Sequence, residues 1–210
     1  VTVSDTIDDA SAQNITDLNA LLGATTGTVT ATIDGNLAQL DGLTADSSTA
    51  ASNALTITVD DTIDNASAAE VTNLNKVLAA TAGTVTATID GNQAQLTSIT
   101  ATASDTGTST LTITVDDVVT AAQGASIADA TDAATVDFST AGISDSFSNL
   151  ATGSAVTTNM GKIDAKDANV NVTVSDTIDD ASAQNITDLN ALLGATTGTV
   201  TATIDGNLAQ

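Results

Sequence analysis

The chain of 210 residues has no cysteine, histidine, proline, tryptophan or tyrosine, and its three basic residues are the lysines Lys76, Lys162 and Lys166. Without cysteine no disulfide can form, and the redox compartment leaves no mark on the sequence. Without histidine the commonest general base and the commonest metal ligand are both missing. Phe138 and Phe147 are the only aromatic residues, which leaves little material for the wall of a substrate pocket. Long apolar runs are absent, so no segment reads as a bilayer span. Cations are scarce: 26 acidic residues against 3 basic ones give a net charge of −23. Such a chain offers no positive surface to nucleic acid and is repelled by an anionic membrane. These absences argue against an enzyme, a nucleic-acid binder and a membrane-inserted protein.

What is present is repetition. Val1–Gln39 recurs letter for letter as Val172–Gln210, and Gly27–Asn36 (GTVTATIDGN) returns as Gly83–Asn92. The aspartates Asp5, Asp61, Asp117 and Asp176 keep one register with the strand-like starts before them. The chain therefore divides into module 1 (1–54), module 2 (55–110), a divergent module 3 (111–170) and the start of a next copy (171–210). Self-similarity at a fixed period is the mark of units that stack on their neighbours and share a core with them. The ends fall inside the repeat, as expected of a window from a longer polymer; no secretion signal is visible, and such a window would not show one. High acidity with few aromatics also fits disorder, but the periodic patterning argues against it.

Module 2 shows the local logic. Leu55–Asp60 alternates apolar and polar residues and is β-branched, which predicts a half-buried strand. Ser67-Ala-Ala-Glu70 is a capping-box pattern, followed by Val71, Leu74, Val77 and Leu78 at helical spacing. Module 1 repeats this stripe as Ile15, Leu18, Leu21 and Leu22. Thr84–Ile89 predicts a second strand, parallel to the first because a helix intervenes. Asp90-Gly91-Asn92 reads as a turn with glycine at positive φ, and Gln93–Leu96 as one helical turn. Ser98–Ser104 and Leu111–Val115, around Asp105–Ser109, predict a hairpin across the module border. Module 3 carries a weaker helix pattern over Ala121–Ala134, with Ile127 kept and alanine at 130, 133 and 134. The fold class expected is α/β, a linear tandem array of β-α-β-β repeat modules, solenoid-like or fibre-forming.

These strand, helix and GTVT-like patterns, with the Ile143–Leu150 stretch (ISDSFSNL), resemble the repeats of giant bacterial surface proteins of the kind predicted in marine cyanobacteria. The resemblance spans the chain and rests on residue choice and period. It implies a secreted, cell-surface or matrix role with export by a dedicated system, and it carries no catalytic residue across.

The acids are the candidates for chemistry. They cluster after the first strand of each module: Asp5, Asp8 and Asp9; Asp60, Asp61, Asp64 and Asn65; Asp176, Asp179 and Asp180. Calcium takes six to eight oxygen ligands, which closely spaced aspartates and carbonyls can supply. The competing reading is helix capping, in which aspartate satisfies free amides and complements the helix dipole. Module 3 favours capping, since Asp116 and Asp117 are followed by Val-Val-Thr-Ala. Neither an EF-hand loop nor a glycine-rich nonapeptide calcium repeat occurs. The Asp34-Gly35-Asn36 turn, repeated at Asp90 and Asp205, reads as turn chemistry. Thr28, Thr30 and Thr32, with Thr84, Thr86 and Thr88, form rows like those of ice-binding proteins, although helices between strands are expected to interrupt a flat face. The sequon Asn14-Ile-Thr16, recurring at Asn185, falls in a predicted helix, and Asn171-Val-Thr173 is a further one.

The expected function is structural: an extracellular or cell-surface fibre, stalk or matrix filament of a bacterium. An adhesin spacer with calcium-stiffened repeats is the alternative, and an ice-binding threonine-rich protein a more distant one. The expected partners are neighbouring repeats of the same chain and other copies in a filament, with no nucleic acid and no membrane insertion.

Overall fold

A computed structural model describes residues 1–44, 53–100, 109–129, 135–179 and 182–206. It divides into one compact unit built on Val1–Ile113 and a second built on Thr114–Asp129 and the residues from Thr135 onward.

In the first unit a leading segment, Val1–Ile7, is followed by α1 (Ala12–Ala24), β1 (Thr30–Gly35), α2 (Leu37–Leu40), β2 (Ala54–Ile63), α3 (Ala68–Ala79), β3 (Val85–Gly91), α4 (Gln93–Leu96) and the greater part of β4 (Thr110–Val115), whose last two residues belong to the second unit. The strands stand side by side in chain order. β1 pairs parallel with β2, and β2 parallel with β3. The leading segment meets β1 through the parallel bridges Thr2↔Thr30 and Ile7↔Ile33. A parallel neighbour requires the chain to cross back over the sheet, and the helices make that return. The structure is thus mixed α/β with a parallel sheet alternating with helices.

Alternation along each strand decides which face is covered. In β1, Ala31, Ile33 and Gly35 are buried while Thr30 and Thr32 are exposed, and β3 buries Val85, Ala87 and Ile89 while exposing Thr86 and Thr88. Onto the apolar face the helices lay their stripes. Val71, Leu74, Val77 and Leu78 of α3 are all buried, as are Ile15 and Leu18 of α1, whereas Leu21 and Leu22 are half-buried. Each buried Leu, Ile or Val is worth roughly 1.5–3 kcal/mol, and these aliphatic residues carry the core. The predicted capping box is formed: Ser67 Oγ takes the Glu70 amide, and Glu70 Oε2 takes that of Ser67 at 2.8 Å. Glu70 is held below its ordinary pKa by the backbone amide of Ser67 and then by the Ser67 hydroxyl.

A second side-chain device locks strand to strand. The buried Thr81 hydroxyl accepts from the Leu55 amide at 2.7 Å and the Gly83 amide at 2.8 Å, and it lies 3.0 Å from the Leu55 carbonyl. A Cβ on Gly83 would stand 2.2 Å from that carbonyl, so glycine is required by the close approach of two backbones.

The second unit contains α5 (Ala121–Asp129), β5 (Thr135–Asp137), β6 (Ile143–Asp145), α6 (Phe147–Leu150), the short pair β7 (Ala151–Thr152) and β8 (Ala155–Val156), α7 (Thr158–Asp164), β9 (Val172–Ile178), α8 (Ala183–Ala195) and β10 (Val200–Ile204). β10, β9 and β6 form a parallel sheet in that order, and β7 and β8 pair antiparallel. The alanine-rich helix of module 3 is α5, and Ala130, Ala133 and Ala134 lie outside the described residues. Its small residues have a reason: a Cβ on Gly124 would stand 2.8 Å from Ile163 Cδ1, so α5 and α7 pack too closely for a larger side chain. Lys162 of α7 pairs with Asp129 at 2.5 Å across two half-exposed side chains, a geometry that contributes little in water.

Two expectations need revision. Asp34-Gly35 and Asp90-Gly91 end strands, and Asn36 and Asn92 are helix N-caps. Neither glycine has positive φ. A Cβ on Gly35 would meet Gln39 Oε1 at 2.9 Å, so a side chain there would displace the Gln39 amide. In modules 1 and 2 the left-handed positions among the described residues are instead Asp9 and Asn65, both at φ 49°, residue types that tolerate that region. Of the expected border hairpin, one arm falls mainly on 101–108, outside the described residues, and the other is β4.

Candidate functional site

The acidic residues after each leading strand are placed by a bulge. Between β2 and β3 the register runs Thr58↔Thr86 and then Thr62↔Thr88, so Val59, Asp60 and Asp61 bow out of the ladder. The same irregularity separates Thr173 from Thr177 opposite β10 and contains Asp176. A bulge re-aims side chains, and here it turns an aspartate back along the sheet. Asp61 Oδ1 accepts the Leu37 amide, the first of α2, at 2.9 Å. Asp176 Oδ1 accepts the Phe147 amide, the first of α6, at 2.7 Å.

The strand-end aspartates do the same. Asp34 Oδ1 takes the Asp9 amide at 2.8 Å, Asp90 Oδ1 takes that of Asn65, and Asp145 Oδ2 takes that of Ala121, the first of α5, at 3.0 Å. In each pair the carboxylate belongs to one strand and the amide to a segment 24–29 residues earlier in the chain. Asp5, Asp34, Asp61, Asp90, Asp117, Asp145, Asp176 and Asp205 recur 27–31 residues apart. From the sequence Asp5, Asp61 and Asp176 read as ligand candidates and Asp34, Asp90 and Asp205 as turn residues, while Asp117 and Asp145 belong to neither set. Their common spacing was the signal that they form one series.

Within the helices asparagine plays a comparable part. Asn19 donates to the Gly42 carbonyl at 2.9 Å and accepts the Thr44 amide at 3.1 Å, while Asn75 does the same to Ser98 and Thr100 at 2.8 and 2.9 Å. No residue of this second set was singled out in the sequence. Its signal is the shared Leu-Asn pair, Leu18-Asn19 and Leu74-Asn75.

The remaining candidates stand as follows. Asp5, Asp8, Asp60, Asp64 and Asp179 are exposed, and Asp180 lies outside the described residues. Asp60 is held above its ordinary pKa by local desolvation first, and then by the negative charges of Asp34, Asp9, Asp61 and Asp8. Carboxylates from successive strands therefore face one another as a row of like charge. Among the described residues no group of three or more acidic side chains is gathered closely enough to hold a metal ion. A cavity of about 340 Å³ between α3 and α4 is bordered by Val71, Asn75 and Gln95. Gln95 Oε1 has no partner among the described residues, whereas the corresponding Gln39 uses that atom to take the Asn36 amide at 2.7 Å.

The threonine rows emerge differently from expectation. Thr30, Thr32, Thr56, Thr86 and Thr88 are exposed opposite the buried face of the first unit's sheet, so helices do not interrupt them there. Thr32 lies beside Thr56, and Thr58 beside Thr86.

None of the described helices is long and apolar enough to cross a membrane. Comparison with protein-family models, with curated proteins and with solved structures found no match.

Proposed function

We propose that the chain is a structural repeat protein: a segment of a fibre, stalk or matrix filament on or outside a bacterial cell, made of β-α-β-β modules that share their cores. The observation that carries this reading is the set of five aspartates, Asp34, Asp61, Asp90, Asp145 and Asp176, each of which holds a backbone amide of an earlier segment of the chain. Such contacts act between successive steps of the chain, which is the coupling a repeat array needs. Each is a charge-assisted hydrogen bond to an amide, a kind worth roughly 1.5–3 kcal/mol. The missing histidine and cysteine and the resemblance to giant surface-protein repeats support a mechanical, non-catalytic role.

The test is a length series built from one, two and three copies of Val1–Asn171. Stability that rises and levels with copy number is expected, together with thin threads when the native material is labelled and imaged. Melting that is identical for every length would mean independent beads and would sink the shared-core reading.

A second reading is favoured by one specific observation, the exposure of Thr30, Thr32, Thr56, Thr86 and Thr88 on one side of the sheet. A regular hydroxyl-and-methyl array on a flat sheet is the surface an ice-binding protein presents. Inhibition of ice recrystallisation at micromolar chain, abolished by Thr56→Lys, supports that reading; growth indistinguishable from buffer removes it.

A further inference from the structure

The β7–β8 turn lies against α8, the first helix of the next copy of the repeat. Its sequence, Ala151-Thr-Gly-Ser-Ala-Val156, occurs once in the chain. The two residues at its tip are both left-handed, Gly153 at φ 63° and Ser154 at φ 70°. A two-residue hairpin loop of this kind is normally filled by glycine, asparagine or aspartate. Serine in that region is strained, and such strain persists where the surroundings hold it in place.

The contacts that hold it come from α8. Ser154 N–H donates to Asp188 Oδ1 at 2.5 Å, and Gln184 Nε2 reaches Asp188 Oδ1 at 2.8 Å and Ser154 Oγ at 3.2 Å. Asp188 is 7% exposed, and a carboxylate stays buried only when its oxygens are hydrogen-bonded or paired. The glutamine and the aspartate are brought together by the helix itself, because residues four apart share a face. In α1, whose sequence is identical, Gln13 Nε2 likewise donates to Asp17 Oδ1, at 2.7 Å. The turn adds an amide and a hydroxyl to a pair that is already set.

The other helices of the repeat lack this pair. Gln184 and Asp188 stand two and six residues after the N-cap Ser182. The same places after Ser67 hold Ala69 and Asn73 of α3, and after Thr120 they hold Ala122 and Ser126 of α5. Asn73 Oδ1 is engaged by Lys76 Nζ at 3.0 Å, and Ser126 Oγ donates to the Ala122 carbonyl at 3.0 Å. We propose that the β7–β8 turn is a recognition element for the Gln-Asp pair, so that the border after module 3 takes a module 1 helix in preference to one from module 2 or module 3. The wrong helix is rejected because it leaves the Ser154 amide without its carboxylate, and an unmet polar group separates partners as effectively as a good contact. Module order is then set by two side chains and one turn. This deepens the structural-repeat reading and rests on it.

Residue-resolved amide hydrogen exchange on the 210-residue chain tests the proposal. The Ser154 amide is expected to be protected in the parent. Gln184→Ala combined with Asp188→Asn, which gives α8 the pair of α3, should speed its exchange by about tenfold or more, the factor that a bond to a charged acceptor supports. The amides of β9 and β10 should change by less than about twofold. Placing the α3 sequence Ala68–Ala80 where Ala183–Ala195 stands should expose the Ser154 amide in the same way. Keeping Gln184 and Asp188 within that swap should restore its protection. Equal exchange at Ser154 in the parent and the double variant overturns the proposal, as does equal protection in the two swaps. A loss of protection spread evenly over the second unit also overturns it, since that would mark general support of the fold. Melting that does not change with copy number would sink the shared-core reading and leave these exchange rates as they are, so the two failures are told apart.

Discussion

Val1–Gln39 and Val172–Gln210 have the same residues and different surroundings, and the contrast separates what a segment contains from what its neighbours complete. In the first copy α1 buries Ile15 and Leu18. In the second, α8 buries Asp188 and Leu192, and Ile186, the twin of Ile15, is 41% exposed. The helix is equally long and equally capped in both, by Ser11 and by Ser182. What changes is the side that is covered. α1 has α2 after it, while α8 has the β7–β8 pair against it. One helix therefore carries two contact faces, one for each neighbour. In the middle of the first unit α3 has both faces covered and buries four apolar side chains.

Several experiments would break or sharpen this contrast. One large split is expected at the twin glycines Gly27 and Gly198. A Cβ at Gly198 would stand 2.3 Å from the carbonyls of Asn169 and Val170, while at Gly27 it meets only Thr25 Oγ1 at 3.6 Å. Gly198→Ala should cost about 1–3 kcal/mol or more through overpacking, and Gly27→Ala should stay within about 0.5 kcal/mol of the parent. Equal effects in urea unfolding would mean the two copies share one environment.

Next come the twin isoleucines. Ile33→Ala should cost about 2–5 kcal/mol, as for a fully buried aliphatic residue. Ile204→Ala, at an exposed position, should fall within about 0.5 kcal/mol of the parent.

A smaller split is expected between Asp61 and Asp5, which occupy the same position in successive leading strands. Asp61→Ala leaves the Leu37 amide without its acceptor and should cost about 1–3 kcal/mol. Asp5→Ala should be near neutral in dilute chain at low salt. If calcium at these acids mattered more than the amide bonds, calcium would raise the melting temperature well beyond magnesium at equal concentration. The expected outcome is equal, modest shifts by both ions through screening of the row around Asp60.

The smallest effects concern pH, and two residues should differ in sign. Asp60 has a raised pKa in the folded chain, so its carboxylate opposes folding once ionised. Its favourable contribution is complete below the unfolded pKa and is lost as pH rises through the folded one. Asp60→Asn should therefore stabilise at neutral pH and do nothing in acid. Glu70 has a lowered pKa, so its contribution is present above the unfolded pKa and lost as pH falls through the folded one. Glu70→Gln should destabilise at neutral pH and converge on the parent in acid. Melting curves on both sides of the carboxylate range would read both.

Much of the local structure was legible in module 2. The Leu55–Asp60 alternation became β2, the Ser67–Glu70 box capped α3, and the parallel relation of β2 and β3 followed from the helix between them. These are short-range properties, set by periodicity and by side chains reaching three or four residues along the chain. Less legible was the purpose of the aspartates. Asp34 lies beside Gly35-Asn36 in sequence, which invites a turn reading, yet its carboxylate reaches the Asp9 amide. Spacing alone could not say whether the oxygens near Asp60 face a cation, a helix end or a neighbouring backbone. The exposed threonine face was misjudged because the side of the sheet on which the helices return is a property of the sheet, not of any strand.

By itself the sequence determined the repeat, the strand and helix segments, their caps and the absence of histidine and cysteine chemistry, because each follows from residue type and local period. Only the tertiary structure decided which of two identical segments is covered. Burial is a relation between neighbours: Val1 and Val172 are the same residue in the same strand, and one of them has β6 beside it. The same holds for the aspartates. A carboxylate becomes a strand-to-strand fastener only when it and the free amide of an earlier segment arrive at one place, and that meeting is made by the crossover, not by the residue.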